Sequence, residues 1–258
     1  MEVMKAQGLT KDYGGVRAVS NVSFDIETGE RLVIIGPNGA GKTTLFNMLN
    51  GQLRPTAGHI FFHGREITDL PAYRRIHLGI GRAFQITSLF NELNVMDNML
   101  LAVQGTRPER YQIFRPIKRN KQVTDKAAEI LASFDLWDLR NERAAYISYG
   151  SQRKLEIALS MASDPKLLLL DEPSCGLTSA ESAELCNRIS NLGKDVTLIC
   201  VAHDMDLVFG IATRIILLHY GEFIVEGKPE QIRDSAIVKQ IYMGTDKKTR
   251  LGPKPCSS

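Results

Sequence analysis

The chain has 258 residues, 43% of them hydrophobic and 24% charged, which is the balance of a globular protein able to bury a core without disulfide or metal staples. A formal net charge of +3 is too small to argue for a nucleic-acid partner, and no apolar run approaches the roughly 20 residues that a membrane-crossing helix needs. Cys175, Cys186, Cys200 and Cys256 share no CxxC spacing and no His cluster, which predicts free thiols in a reducing cytosol; the opening MEVMKAQGLTKDYGG lacks the apolar stretch of a signal peptide.

Tyr13 stands in KDYGG, ahead of the first strand that the pattern predicts, where Val22, Phe24 and Ile26 alternate with Ser23 and Asp25. ETGE turns the chain into a second short apolar strand, RLVIIG, which runs into a Gly-rich loop. KTTLFNMLNG then has helical spacing and a glycine stop, and GHIFFHGREI reads as hairpin pieces. From about residue 86 to 163 apolar residues recur at three and four (NVMDNMLLAV, DKAAEILASFDLW, QRKLEIALSMA), which predicts helices, with Trp137 and Met161 in the core. Between the first two lies RPERYQIFRPIKRN, read as a basic loop. PKLLLLDEP and DVTLICVAHD read as buried parallel strands flanking a helix around AESAELCNRISNL, and RIILLHYGEFIVEGKPEQI reads as a closing hairpin. The last dozen residues have the composition of a mobile tail.

The chemistry concentrates at three places. GPNGAGKT at Gly36 to Thr43 fits G-x-x-x-x-G-K-[ST] between a predicted strand and a predicted helix. Gly36, Pro37, Asn38, Gly39, Ala40, Gly41, Lys42, Thr43 and Thr44 would form a phosphate cradle. In it the amides of 39–44 wrap a β-phosphate, Lys42 bridges the β- and γ-phosphates, and the Thr43 hydroxyl ligates Mg²⁺. LLLLDE ends an apolar strand with Asp171, which can hold Mg²⁺ through water, and Glu172, which can act as general base on an attacking water. His203 follows the next strand at the same sheet edge; spacing alone leaves open whether it is structural or touches the γ-phosphate. ISYGSQRKLEIA poses a puzzle: Ser148 and Gly150 open a helix whose free amides suit a second phosphate, although one cradle is already complete.

These pieces, in this order from about residue 5 to 245, resemble the ATPase subunit of ABC transporters. The resemblance implies an α/β P-loop core with an antiparallel β subdomain and an inserted helical subdomain. Residues 1–245 would form one ATPase domain, with core and β subdomain in 1–85 and 164–230, the helical subdomain in 86–163, a C-terminal helix in 231–245, and a flexible tail in 246–258. Tyr13 would stack on adenine. Gln85 in GRAFQ would sense Mg²⁺ and the γ-phosphate, and His203 would contact that phosphate. Ser148, Tyr149, Gly150, Ser151 and Gln152 would face ATP held by a second subunit, which answers the puzzle of the second phosphate place.

Within the family, GRAFQITSLFNELNVMDNMLLAV, the tyrosine of SYG, DPKLLLLDEPSCGL, HDMDLV and GKPEQIRDSAIVKQIYMG are most similar to ATPases of branched-chain and related hydrophobic amino-acid importers. The partners so implied are two transmembrane permease subunits, a second ATPase subunit (a sister chain favoured over a second copy) and, indirectly, a solute-binding protein, at the cytoplasmic face of the membrane and without nucleic acid. Urea, amide or aromatic-acid import, lipid export and a soluble ribosome- or nucleic-acid-acting ATPase are the alternatives. The chain departs from the family at Ile147, Ser151, Thr178 (where many relatives have Asp or Asn) and Ala202, and none of these departures removes a ligand to ATP or Mg²⁺.

Overall fold

The computed structural model describes residues 1–83, 89–107, 120–193 and 196–248, with residues 243–248 by backbone only. The chain opens with a long hairpin of β1 (Glu2–Tyr13) and β2 (Val16–Glu27), then β3 (Arg31–Ile35), α1 (Lys42–Asn50), β4 (Ala57–Phe62) and β5 (Arg65–Glu66). α2 (Ala72–Ile76) and β6 (Ile80–Arg82) lead to three helices, α3 (Val95–Gly105), α4 (Lys121–Ser133) and α5 (Tyr149–Ser160). The chain then alternates β7 (Leu167–Asp171), α6 (Ser179–Ser190), β8 (Thr197–Val201), α7 (Met205–Ile211), β9 (Arg214–His219) and β10 (Glu222–Gly227), and ends in α8 (Pro229–Asp234) and α9 (Ala236–Lys248).

Two sheets result. The first is antiparallel in the order β2-β1-β4-β5; the second runs β10-β9-β3-β8-β7-β6, parallel from β9 to β6 with β10 antiparallel at its edge. The parallel strands read as near-continuous apolar runs because both faces are covered. Their alternation still matters: Val33, Ile35, Leu168, Leu170, Leu198 and Cys200 pack into one core with the helices α3 to α7. Leu32, Ile34, Leu167, Leu169, Ile199 and Val201 pack into a second core with α1 and the antiparallel sheet. Each fully buried leucine contributes about 1.5–3 kcal/mol relative to exposure, so β7 is anchored from both sides up to its end at Asp171.

Three expectations change. The pattern does not predict β1, and Tyr13 ends that strand instead of preceding the first one. Its pairing with β2 slips between Ala6 and Leu9, where Gly8 takes a φ of 60°, so the two-residue alternation on which strand recognition rests is broken. β6 and α2 are too short to show a period. Trp137, expected in the core, is 38% exposed; the Arg140 guanidinium lies over its ring at 4.5 Å and covers it from one side. Met161 does pack against the core. Most of the basic loop, residues 108–119, lies outside the described residues.

Candidate functional site

The carboxyl ends of β3, β7 and β8 meet at one sheet edge, the usual place for a ligand in an open α/β sheet. β3 ends at Ile35 and releases residues 36–41 as a loop that closes on α1 with Gly41 as its N-cap. Gly41 has a φ of 98°, and a Cβ there would stand 2.3 Å from the Ala18 carbonyl of β2, so only glycine lets the loop lie against that strand. The Lys42 ammonium spans the loop and donates to the carbonyls of Gly36 (2.7 Å) and Pro37 (3.0 Å). Burial pushes its pKa down, opposed by the charges of Glu172 and Asp171, which places all three groups in one electrostatic cluster.

Asp171 is 4% exposed, and neither of its carboxylate oxygens has a hydrogen-bond partner among the described residues. Burial, and next the charge of Glu172, push its pKa up to about 6, while Arg82, Lys42 and Arg153 pull it back. Two buried acceptor oxygens beside a phosphate cradle suit a hard divalent cation, which takes oxygen ligands and supplies the missing positive charge. The donor set of Asp171 with the Thr43 hydroxyl at the start of α1 therefore fits Mg²⁺. Gln85, the other expected ligand, lies outside the described residues.

Glu172 has a φ of 47°, in the left-handed region that costs a side-chain-bearing residue roughly 1–2 kcal/mol. The turn is held from two sides: the Glu172 amide donates to the Val201 carbonyl (2.8 Å), and Arg153 Nη2 donates to the Glu172 carbonyl (3.3 Å). The carboxylate is thereby thrown out of the sheet toward His203, whose Nδ1 is 3.6 Å from Glu172 Oε1. The half-exposed imidazole stays reachable. Asp204, next in sequence, caps α7 by accepting from the Asp206 and Leu207 amides, and it also takes the Ser182 hydroxyl at 2.8 Å. Its pKa is lowered by these hydrogen bonds despite the opposing effect of burial.

The residues 148–152 form a second place. Ser148 caps α5 by accepting from the Ser151 amide (3.2 Å), and its hydroxyl donates to Ser151 Oγ (3.1 Å). Tyr149 Oη donates to the Cys175 carbonyl (3.3 Å), and Gln152 Nε2 to the Ala144 carbonyl (2.8 Å). Ser148, Gly150 and Ser151 line a small recess with Lys154, Glu181 and Glu184, apart from the Lys42, Asp171 and Glu172 cluster. Tyr13 is exposed at the tip of the β1–β2 hairpin, paired with Val16 two residues before Ala18, and Lys11 lies 5.4 Å over its ring.

Sequence reasoning missed three groups. Arg82 and Arg153 supply charge to Asp171, yet basic residues on a strand and a helix carry no local sign of where they reach. Glu181 was legible: TSAE is a Thr-x-x-Glu capping box, and Thr178 and Glu181 make both of its hydrogen bonds at the start of α6. The same carboxylate takes the Gly150 amide, and together these bonds lower its pKa. Thr178 thus serves as the helix cap that Asp or Asn would supply.

Residues 19–175 match a family model described as ABC transporter. The high-affinity branched-chain amino acid transport ATP-binding protein LivG of Salmonella typhimurium is 38% identical over 249 residues, covering 94% of this chain and 98% of that protein. The lipopolysaccharide export system ATP-binding protein LptB of Acidithiobacillus ferridurans is 35% identical over 94% of this chain and 97% of its own length. Among solved structures, the ADP conformation of MJ1267, an ATP-binding cassette of an ABC transporter, superposes with a TM-score of 0.84 at 28% identity, covering 95% of this chain and 99% of that one.

Proposed function

Since the chain belongs to the ABC transporter family of ATP-binding proteins, we propose that it hydrolyses ATP to drive uptake of branched-chain or other hydrophobic amino acids through a separate membrane permease. The observation that carries the reading is the cluster at the sheet edge: a lysine in a phosphate cradle, two adjacent carboxylates of different burial, and a histidine beside the more exposed one.

The two carboxylates have different work because their surroundings differ. Asp171 is buried without donors and, with Thr43 and Gln85, would hold Mg²⁺, which when bound neutralises charge on the phosphates. Glu172 stands free of that burial. It takes the proton of a water whose oxygen bonds to the γ-phosphorus, while the bond from that phosphorus to the bridging oxygen breaks and the electrons leave with ADP. Lys42 steadies the charge spread over the β- and γ-phosphates, His203 orients the Glu172 carboxylate and the phosphate, and Tyr13 stacks on adenine.

Ser148 to Gln152 present a helix N-terminus, with its positive dipole end, to ATP bound by a second ATPase subunit; the Gly150 and Ser151 amides, held here by Glu181 and Ser148, would have to exchange those partners for the phosphate. A sister chain is favoured over a second copy. ATP then closes a dimer, and only its differential affinity for closed and open states can do work on the permease. Residues 86–163 act as the helical subdomain in this scheme; of the expected tail, residues 246–248 belong to α9 and residues 249–258 lie outside the described residues. No described helix is long and apolar enough to cross a membrane, so transport falls to two permease subunits, which hold the chain at the cytoplasmic face. An apolar groove of about 480 Å³, lined by Ile76, Phe90, Leu101 and Leu159, supports such a contact.

The test is to tag the chain in its own cell, solubilise the membranes gently and identify what co-purifies. Two hydrophobic permease subunits, with or without a sister ATPase, are expected. Lipopolysaccharide-handling membrane proteins would move the assignment to export, the second reading that the LptB likeness favours. Recovery with ribosomes or nucleic acid in the soluble fraction would overturn the transport role.

A further inference from the structure

We infer that Arg153 is a positioning residue for hydrolysis: oriented by Glu156, its guanidinium holds the Glu172 carbonyl and with it the left-handed turn that aims the Glu172 carboxylate. The inference rests on the general-base reading of Glu172 and extends it to a residue on another element.

Four observations carry it. Arg153 and Glu156 are 6% and 5% exposed, yet neither lies in the phosphate cradle or among its expected ligands. Arg153 Nη1 donates to Glu156 Oε2 at 2.6 Å, one turn along α5, which fixes the fork of the guanidinium. The other arm, Nη2, crosses to β7's end and donates to the Glu172 carbonyl at 3.3 Å. Glu172 itself sits at a φ of 47°, a conformation that persists only where neighbours over-determine it. The sheet supplies one such constraint through the Val201 carbonyl, and Arg153 supplies the other.

A buried ion pair is a weak source of stability, because desolvation offsets its Coulomb attraction. Burial indeed pushes the Glu156 pKa up, against the pull of Arg153. What the pair does supply is orientation. The placement also has a consequence for coupling: Arg153 follows Gln152 directly, so the helix turn that would meet the second subunit's ATP grips its own chain's Glu172. A shift of α5 on dimer closure would thus be felt at the candidate base through one side chain.

The experiment uses the full chain in its transport complex and compares Arg153→Met, Glu172→Gln and the double variant. Steady-state kcat and KM for ATP, equilibrium binding of a fluorescent ATP analogue, and thermal melting are read for each. Misplacing the base lowers kcat of Arg153→Met on the order of 10²-fold while ATP affinity changes little. In the Glu172→Gln background, Arg153→Met adds no further loss, since the group it positions is gone. Arg153→Lys, which keeps a cation for Glu156 but not a two-armed fork, shows an intermediate kcat at unchanged melting temperature and covers the case in which methionine unfolds the chain. Wild-type kcat in either single Arg153 variant, or a full additional loss in the double variant, overturns the inference. Wild-type turnover in Glu172→Gln alone would overturn the general-base reading and the positioning role with it, so the two failures are told apart.

Discussion

Arg75→Met should destabilise the fold strongly while leaving the chemistry in place. Arg75 is 1% exposed and reaches three segments: Nε donates to the Leu70 carbonyl (2.8 Å), Nη1 to those of Met48 (3.0 Å) and Leu49 (2.6 Å), and Nη2 to those of Ile67 (2.8 Å) and Thr68 (3.1 Å). It therefore caps the C-terminal end of α1, the helix that the phosphate cradle opens. Methionine fills similar space and donates nothing. The Met48 and Ile67 carbonyls keep the Gly51 and Leu70 amides, so the carbonyls of Leu49, Thr68 and Leu70 lose their donor. At about 1–3 kcal/mol for each desolvated acceptor the gross loss is roughly 3–9 kcal/mol. Part is returned, because a cation with no carboxylate among these partners no longer has to be buried; that burial shows in an Arg75 pKa pushed down to about 10. The net loss is about 3–4 kcal/mol, which at ~2–4 °C per kcal/mol lowers the melting temperature by roughly 10 °C. Circular dichroism melts of the nucleotide-free chain measure this directly. A change below about 2 °C would refute the reasoning, since it would mean that water or a rearranged backbone satisfies those carbonyls at no cost.

Glu172→Gln should bind ATP normally and turn over ~10²–10⁴-fold more slowly; near-normal turnover in a phosphate-release assay would remove Glu172 from the general-base role. Thr178→Ala removes the cap of α6 and its bond to Glu181, which costs ~1 kcal/mol and lowers the melting temperature by about 2–4 °C. An unchanged melt would mean that the capping box contributes nothing. Cys175 is exposed beside Ser174 and Tyr149, whereas Cys200 is buried with its thiol pKa pushed far up. In a chain carrying Cys186→Ser and Cys256→Ser, a bulky maleimide should therefore modify Cys175 and spare Cys200, and the modified chain should lose ATPase activity; full activity after stoichiometric labelling would place Cys175 away from any closing interface.

The parts of the site that sequence discloses are those made by contiguous residues. Gly36 to Thr43 and Asp171–Glu172 need only a strand before them to be aimed, and Leu167 to Leu170 announce that strand by their composition. Ser148 is likewise both cap and candidate ligand within a single turn. What stays hidden is set by distance along the chain. Arg153 meets Glu172 across 19 positions and Arg75 meets Leu49 across 26, and a helical arginine looks the same whether it faces water or a buried carbonyl. β1 escapes for a different reason: its slipped register with β2 erases the alternation that identifies a strand. Trp137 misleads because hydrophobicity predicts burial one way only, and an aromatic ring can be covered by a neighbouring guanidinium instead of a core.

The alternation of β3 limits what lineages of this chain can change. Leu32 and Ile34 belong to one core, Val33 and Ile35 to the other, and the strand hands directly to Gly36. Exchanging one aliphatic residue for another disturbs a single contact, but inserting or deleting one residue turns every later side chain to the wrong face. It also shifts Gly41 off its contact with Ala18. Conservative point substitutions are therefore open to β3, while its length is frozen. Drift in chain length is left to places such as the Gly14–Gly15 tip, where an added Cβ would meet nothing within 4 Å.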